Sequence, residues 1–165
     1  MTDPRTVSPS SATGRSPLLS VRDLSVTFPQ REGNAVRAVR GISYDVHEGE
    51  FLGIVGESGS GKSVSSLAVM GLLPSNAKVE GDILYDGRSL LSMNDAQLSK
   101  IRGAELAMVF QDPLSALTPV YTVGDQISEG LRLHDRALSA QAAHARSVEL
   151  LKLVGIPDAE RRARA

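Results

Sequence analysis

The chain contains no cysteine. Disulfides and thiolate metal sites are therefore excluded, and a reducing compartment is permitted without being required. No apolar run approaches the roughly 20 residues that a helix needs to cross a bilayer. The N-terminus lacks the apolar stretch of a secretory signal, so the chain is expected to stay on the side of the membrane where it is made. An excess of basic charge is also missing: 18 Lys and Arg stand against 19 Asp and Glu, a formal net charge of −1. That balance argues against a nucleic-acid binder, whose electrostatic footprint is a basic patch or stripe. The remainder is an ordinary globular balance, 41% hydrophobic and 22% charged over 165 residues. This length suffices for one domain with a buried core.

Residues 1–17 are mostly Ser, Thr, Pro and Gly. They offer little to bury and read as a disordered tail. From Leu18 the pattern changes. Leu24, Val26 and Phe28 alternate with polar residues, as in a half-buried strand. Arg31-Glu32-Gly33-Asn34 reads as a turn, Val36 to Val46 as a second strand, and His47-Glu48-Gly49-Glu50 as a second turn. The short connections predict antiparallel pairing. Residues 51–55, Phe51-Leu52-Gly53-Ile54-Val55, are apolar without alternation, the pattern of a parallel strand buried on both faces. A Gly-rich loop follows, then a helix with Val64, Leu67, Ala68 and Gly71 on one face and Pro74 as its stop.

Residues 81–86 predict a short strand with Asp86-Gly87 as its turn. Ser92 with Asp95 resembles a capping box for a helix reaching about Ile101. Residues 105–110 predict a further strand. Thr122 with Asp125 marks another helix start, with Val123, Ile127 and Leu131 at four-residue spacing. A longer helix over about 139–154 has Val148, Leu151 and Val154 as its inner stripe and Gly155 as its stop. His47, His134 and His144 show no metal-ligand spacing and read as surface or packing residues.

The strongest motif is Gly56-Glu57-Ser58-Gly59-Ser60-Gly61-Lys62-Ser63, which fits G-x-x-x-x-G-K-[ST] at every required position. Triphosphate oxygens need several donors at close range. Glycines let the backbone curl so that successive N–H groups form an anion nest. The following helix adds its unpaired N–H groups and the positive end of its dipole. Lys62 supplies a charge for the β- and γ-phosphates, Val64 a further backbone N–H, and the Ser63 hydroxyl a hard oxygen ligand for Mg²⁺. By chance the four fixed positions would occur in roughly one chain of this length in a few hundred. The strand before the loop and the amphipathic helix after it are the context the mechanism requires. These residues predict an ATP- and Mg²⁺-binding site.

The family follows from a second motif. Phe110-Gln111-Asp112-Pro113-Leu114-Ser115-Ala116-Leu117-Thr118-Pro119, taken with the phosphate loop, resembles the Q-loop region of ATP-binding-cassette (ABC) ATPases, and in particular their oligopeptide/dipeptide importer branch. Gly71-Leu72-Leu73-Pro74 and Tyr121-Thr122-Val123-Gly124-Asp125-Gln126-Ile127 resemble that branch as well. Thr118 stands where it usually has Asn, and Val64 where the wider family often has Thr. The resemblance spans about residues 18–165. It implies an α/β P-loop NTPase fold with an antiparallel β subdomain at about 18–50 and 79–90 and a helical subdomain beginning at about 122. It also implies that Gln111 contacts Mg²⁺ and the attacking water, since its amide both accepts and donates. An aromatic upstream of the loop would stack on adenine; Phe28 is one candidate and Tyr44 the other.

The resemblance further implies a catalytic Glu on the Walker B strand, a Ser-Gly-Gly signature loop and a switch His. None of these occurs in the sequence, which therefore reads as the front part of such a subunit, with little ATPase activity of its own. The expected partners are transmembrane permease subunits, a second cassette (identical or not) and, indirectly, an extracytoplasmic substrate-binding protein. The expected location is peripheral, on the cytoplasmic face of the plasma membrane. Di- and oligopeptides are the expected cargo, although related ATPases serve nickel and other small solutes. Two other classes remain open at this point: a soluble cassette ATPase of DNA repair or translation, and a non-hydrolysing nucleotide-binding module.

Overall fold

The computed structural model describes residues 16–30, 35–112 and 116–165. Most of the tail, the turn at Arg31-Glu32-Gly33-Asn34, and Pro113, Leu114 and Ser115 lie outside the described residues. The chain forms two compact units, residues 1–102 and 103–165.

The first unit is built on a four-stranded antiparallel sheet in the order β2-β1-β3-β4. Its strands are β1 (Leu19–Phe28), β2 (Val36–Val46), β3 (Lys78–Tyr85) and β4 (Arg88–Ser89). The core is the inner face of this sheet, where Val21, Leu24, Val26 and Ile83 are fully buried. Val21 and Leu24 are three residues apart, yet both face inward. A bulge reconciles them: the register with β2 shifts between these two residues, and Asp23 takes φ 46. One extra residue turns the strand back onto its buried face. Gly81 on β3 accommodates the bulge. With φ +101, a Cβ there would stand 2.5 Å from the Arg22 carbonyl oxygen and 2.6 Å from that of Asp23.

Helix α1 (Lys62–Val69) packs against β1 and β2. Its buried residues are Ser65, Ala68 and Val69, so the inner face is rotated from the expected Val64, Leu67, Ala68, Gly71 stripe. The Ser65 hydroxyl donates to the Lys62 carbonyl at 2.7 Å, which lets a polar side chain be buried without loss. The helix ends before Pro74. Gly71, at φ 62, closes it with N–H bonds from Gly71 to Ala68 O (3.0 Å) and from Leu72 to Leu67 O (2.9 Å), the double bond of a Schellman ending. The hairpin from β3 to β4 turns at Asp86-Gly87, both with positive φ, as a two-residue type I′ loop requires. Helix α2 (Asp95–Ile101) is capped by Asn94 and Gln97. The expected Ser92–Asp95 pair does not form the box, and Ser92 instead ends a 3₁₀ turn, Leu90–Ser92.

Two expected strands are not formed. Residues 51–55 and 105–110 join no sheet, and Phe51, Val55 and Val109 are 100%, 93% and 96% exposed. A strand of a parallel sheet takes its hydrogen bonds and its cover from neighbours on both sides. Among the described residues neither segment has such a neighbour.

The second unit is helical: α3 (Val123–His134), α4 (Ala140–Leu153) and α5 (Ala159–Arg162). Thr122 caps α3, accepting from the Asp125 N–H, and Ser139 caps α4, accepting from the Ala142 N–H. Leu151, Ala159 and Ala163 form the core, with Val123, Ile127 and Val148 packed on it. Val154, expected on the inner stripe, is 70% exposed. As the C-cap it leaves the helix, and Gly155 at φ 79 ends the helix with a second Schellman pair. No helix among the described residues is long and apolar enough to cross a membrane.

Candidate phosphate-binding site

The loop over residues 56–63 enters α1 through Gly61, the N-cap, at φ 94. Two glycines are dictated by close approach. A Cβ on Gly61 would stand 2.4 Å from the Ala38 carbonyl oxygen of β2, and one on Gly56 would stand 2.8 Å from Ser60 Oγ. The first contact seats the loop on the sheet; the second curls the loop on itself. The Ser60 N–H donates to the Glu57 carbonyl at 3.2 Å, closing a tight turn in which Gly59 adopts φ 78. Glu57, Ser58, Gly59 and Ser60 are all exposed.

The first intrahelical bond of α1 runs from the Ser65 N–H to the Gly61 carbonyl at 2.9 Å. The N–H groups of Lys62, Ser63 and Val64 precede it, as the first amides of any helix do, and Gly61 as the N-cap has no side chain to cap them. There is also no acidic residue in the first turn. This end of α1 therefore presents free donors and the positive end of the helix dipole without a competing carboxylate.

The Lys62 side chain folds back over the loop. Its ammonium donates to the carbonyls of Gly56 and Glu57, each at 2.7 Å, and to Ser60 Oγ at 3.2 Å. The cation is thus held above the curled backbone rather than extended into solvent. Ser63, the second helical residue, is exposed. The site offers an anion nest, one positioned cation and one accessible hydroxyl, a donor set suited to a polyphosphate with a hard cation.

A profile of the ABC transporter family matches residues 39–165. The chain belongs to the ABC transporter family. It is 55% identical over 150 residues to the oligopeptide transport ATP-binding protein OppD of Mycobacterium tuberculosis, a match covering 91% of this chain and 24% of that protein. It is 49% identical to the dipeptide transport ATP-binding protein DppD of Bacillus subtilis, covering 86% of this chain and 42% of that one. The chain thus spans under half the length of these relatives. Among solved structures it resembles the dimeric post-hydrolysis state of the ATP-binding cassette MJ0796 bound to ADP and Pi. That match has a TM-score of 0.71 and 26% identity, and covers 88% of this chain and 60% of that one. The fold of this ABC family chain is accordingly α/β.

The other predicted residues lie outside the loop. Phe28 is half-buried at the end of β1, opposite Val36. Tyr44 is also half-buried, opposite Val21, and burial raises its phenol pKa above the ordinary value. The loop meets β2 at Ala38 and Val39. At about 3.3 Å of rise per residue, Val36 lies roughly 7–10 Å along β2 from that contact and Tyr44 roughly 17–20 Å. Gln111 is exposed and belongs to the second unit. Sequence reasoning missed two features of the site: the Ser60 hydroxyl on Lys62 and the buried seat of Ser65. The motif leaves position 60 free to vary and ends before Ser65, so it carries no signal for either.

Proposed function

We propose that residues 56–63 bind the triphosphate of ATP, and that the protein is the ATP-hydrolysing subunit of an importer for di- or oligopeptides. The observation that carries the nucleotide reading is the Lys62 ammonium held over a glycine-curled loop that opens a helix with free N–H groups. A Cβ at Gly61 would strike the Ala38 carbonyl and one at Gly56 the Ser60 hydroxyl, so the two glycines are what let the loop seat on the sheet and curl into this shape. Mg²⁺ suits the donor set, with the Ser63 hydroxyl as the residue of this loop that would hold it; the family resemblance assigns Gln111 the same role. Bound there, it would neutralise charge on the phosphates. Of the two aromatics, the β2 contact of the loop favours Phe28 for adenine stacking.

The peptide reading rests on the kinship with proteins named for oligopeptide and dipeptide transport. The partners are then transmembrane permease subunits, a second cassette and, through the permease, an extracytoplasmic substrate-binding protein, with no nucleic acid among them. The protein would sit peripherally on the cytoplasmic face of the plasma membrane.

The test is a titration of the full-length protein with a fluorescent ATP analogue. Lys62→Ala should raise Kd at least about tenfold, since a lost charge-assisted contact exceeds 1.4 kcal/mol. Unchanged affinity would remove the phosphate site. Phe28→Ala should weaken ATP and GTP to a similar, modest degree, because stacking tolerates any base; Tyr44→Ala should weaken neither. With membrane subunits and binding protein present, ATP turnover should rise on adding di- or oligopeptides. A response to nickel and none to peptides would reassign the cargo.

A further inference from the structure

We propose that Ser60 is a positioning residue for Lys62, holding one of its N–H groups in competition with the phosphates of the nucleotide. The inference rests on reading residues 56–63 as the triphosphate site. An ammonium carries three N–H donors and no acceptor. Lys62 spends them on Gly56 O at 2.7 Å, Glu57 O at 2.7 Å and Ser60 Oγ at 3.2 Å. The first two acceptors are backbone carbonyls, which no side-chain change at 56 or 57 removes. The third is a side-chain hydroxyl on the longest of the three bonds.

Ser60 itself is held in place. Its N–H is tied to the Glu57 carbonyl at 3.2 Å, and its Oγ fills the space that a Cβ on Gly56 would need. While the loop stays curled, the hydroxyl therefore stays within reach of the ammonium. A phosphate oxygen that recruits Lys62 must take a donor from one of these three partners, and the long Ser60 bond is the one that gives way. The two carbonyls then keep the cation over the loop while the third N–H turns to the phosphate. Ser60 thereby sets how strongly the lysine answers a β- or γ-phosphate.

The test uses the full-length protein and calorimetric titration with ATP, ADP and AMP. Two variants are compared: Ser60→Ala, which removes the hydroxyl, and Ser60→Cys, which keeps nearly the same bulk but offers sulfur, a weak acceptor. Both should bind ATP and ADP about three- to tenfold more tightly, the value of one modest hydrogen bond to a charged group. AMP, which has no phosphate in reach of Lys62, should show no gain. A role in loop shape alone would move all three nucleotides together. The proposal is overturned if the cysteine variant binds ATP no more tightly than wild type, or if AMP gains in parallel. Should the alanine variant fail to fold, the cysteine variant decides alone. Lys62→Ala separates the two readings. If it retains ATP affinity, the triphosphate site itself is wrong. If it loses ATP while the Ser60 variants bind as wild type, only the present inference fails.

Discussion

Strand β1 and the segment 51–55 are both rich in branched apolar residues, and they end in opposite states. In β1, Val21, Leu24 and Val26 are completely buried, whereas Phe51 and Val55 are almost completely exposed. The difference lies in their neighbours. β1 sits between β2 and β3 and is paired along nearly its whole length on both sides. Among the described residues, segment 51–55 pairs with no strand. Apolar composition makes a stretch able to be a strand; hydrogen-bonding partners on each edge make it one. The phosphate loop lies directly after the unpaired segment, and its own anchor is the contact of Gly61 with Ala38 on the paired sheet.

The largest effect that probes this contrast is truncation of matched residues in the two stretches. In a protein of residues 1–165, Leu24→Ala should cost about 2–5 kcal/mol, the range for a fully buried leucine. Ile54→Ala, at a residue 45% exposed, should stay within about 0.5 kcal/mol. Urea unfolding of both variants measures this. Equal losses would mean that segment 51–55 is packed after all. In the full-length protein the contrast should narrow, as any strand that comes to flank 51–55 covers Ile54.

A second, smaller effect tests how β1 keeps its buried face. Gly81→Ala places a Cβ against the Arg22 and Asp23 carbonyls and forces an L residue to φ +101. Strain of this kind costs about 1–3 kcal/mol. Gly59→Ala, also at positive φ but with open space around it, should cost about 1–2 kcal/mol from the backbone alone. If Gly81→Ala were no worse than Gly59→Ala, the bulge would not depend on that contact.

The parts of the fold legible in the sequence were those decided locally. Thr122 caps its helix as read, and the helix expected from about Ser139 starts there with Ser139 as its cap, because an N-cap needs only its own side chain and an amide two or three residues on. Gly155 stops α4 for a similarly local reason. Errors arose where two local signals competed or where distant chain decided. Asn94 and Gln97 satisfy the capping pattern two residues beyond Ser92 and Asp95, and only register against the preceding 3₁₀ turn selects between them. Pro74 looked like the stop of α1, but Gly71 reaches a left-handed conformation first. The sequence marked Gly61 and Lys62 by their motif. Their neighbours, the Ala38 carbonyl that Gly61 approaches and the Ser60 Oγ that accepts from Lys62, are set by a strand more than twenty positions away and by the folded loop.

The smallest expected effect concerns an ion pair at the β1–β2 edge, which further separates the paired sheet from the unpaired segment. Arg22 donates to Asp45 Oδ2 at 2.7 Å. That bond is the main reason the Asp45 carboxyl is held below its ordinary pKa, with smaller help from Ser20 and His47 and some opposition from burial. The same bond moves Arg22 upward, so the arginine stays cationic over the whole accessible range. A carboxyl whose folded pKa lies below its unfolded value, about 3.9, adds stability that is complete above the unfolded value. That stability disappears as the pH falls through the folded one. Asp45→Asn should therefore cost about 0.5–1 kcal/mol at pH 7, the range of a partly exposed pair. It should cost nothing at a pH below the folded pKa of Asp45. The loss is bounded because Arg22 also donates to the carbonyls of Val21 at 2.9 Å and Tyr44 at 3.3 Å, so the variant leaves no stranded charge. Urea unfolding of wild type and variant from pH 7 down to the acid limit of folding gives both curves. They should converge toward low pH; a gap that stays constant with pH would mean that Asp45 acts through shape rather than charge.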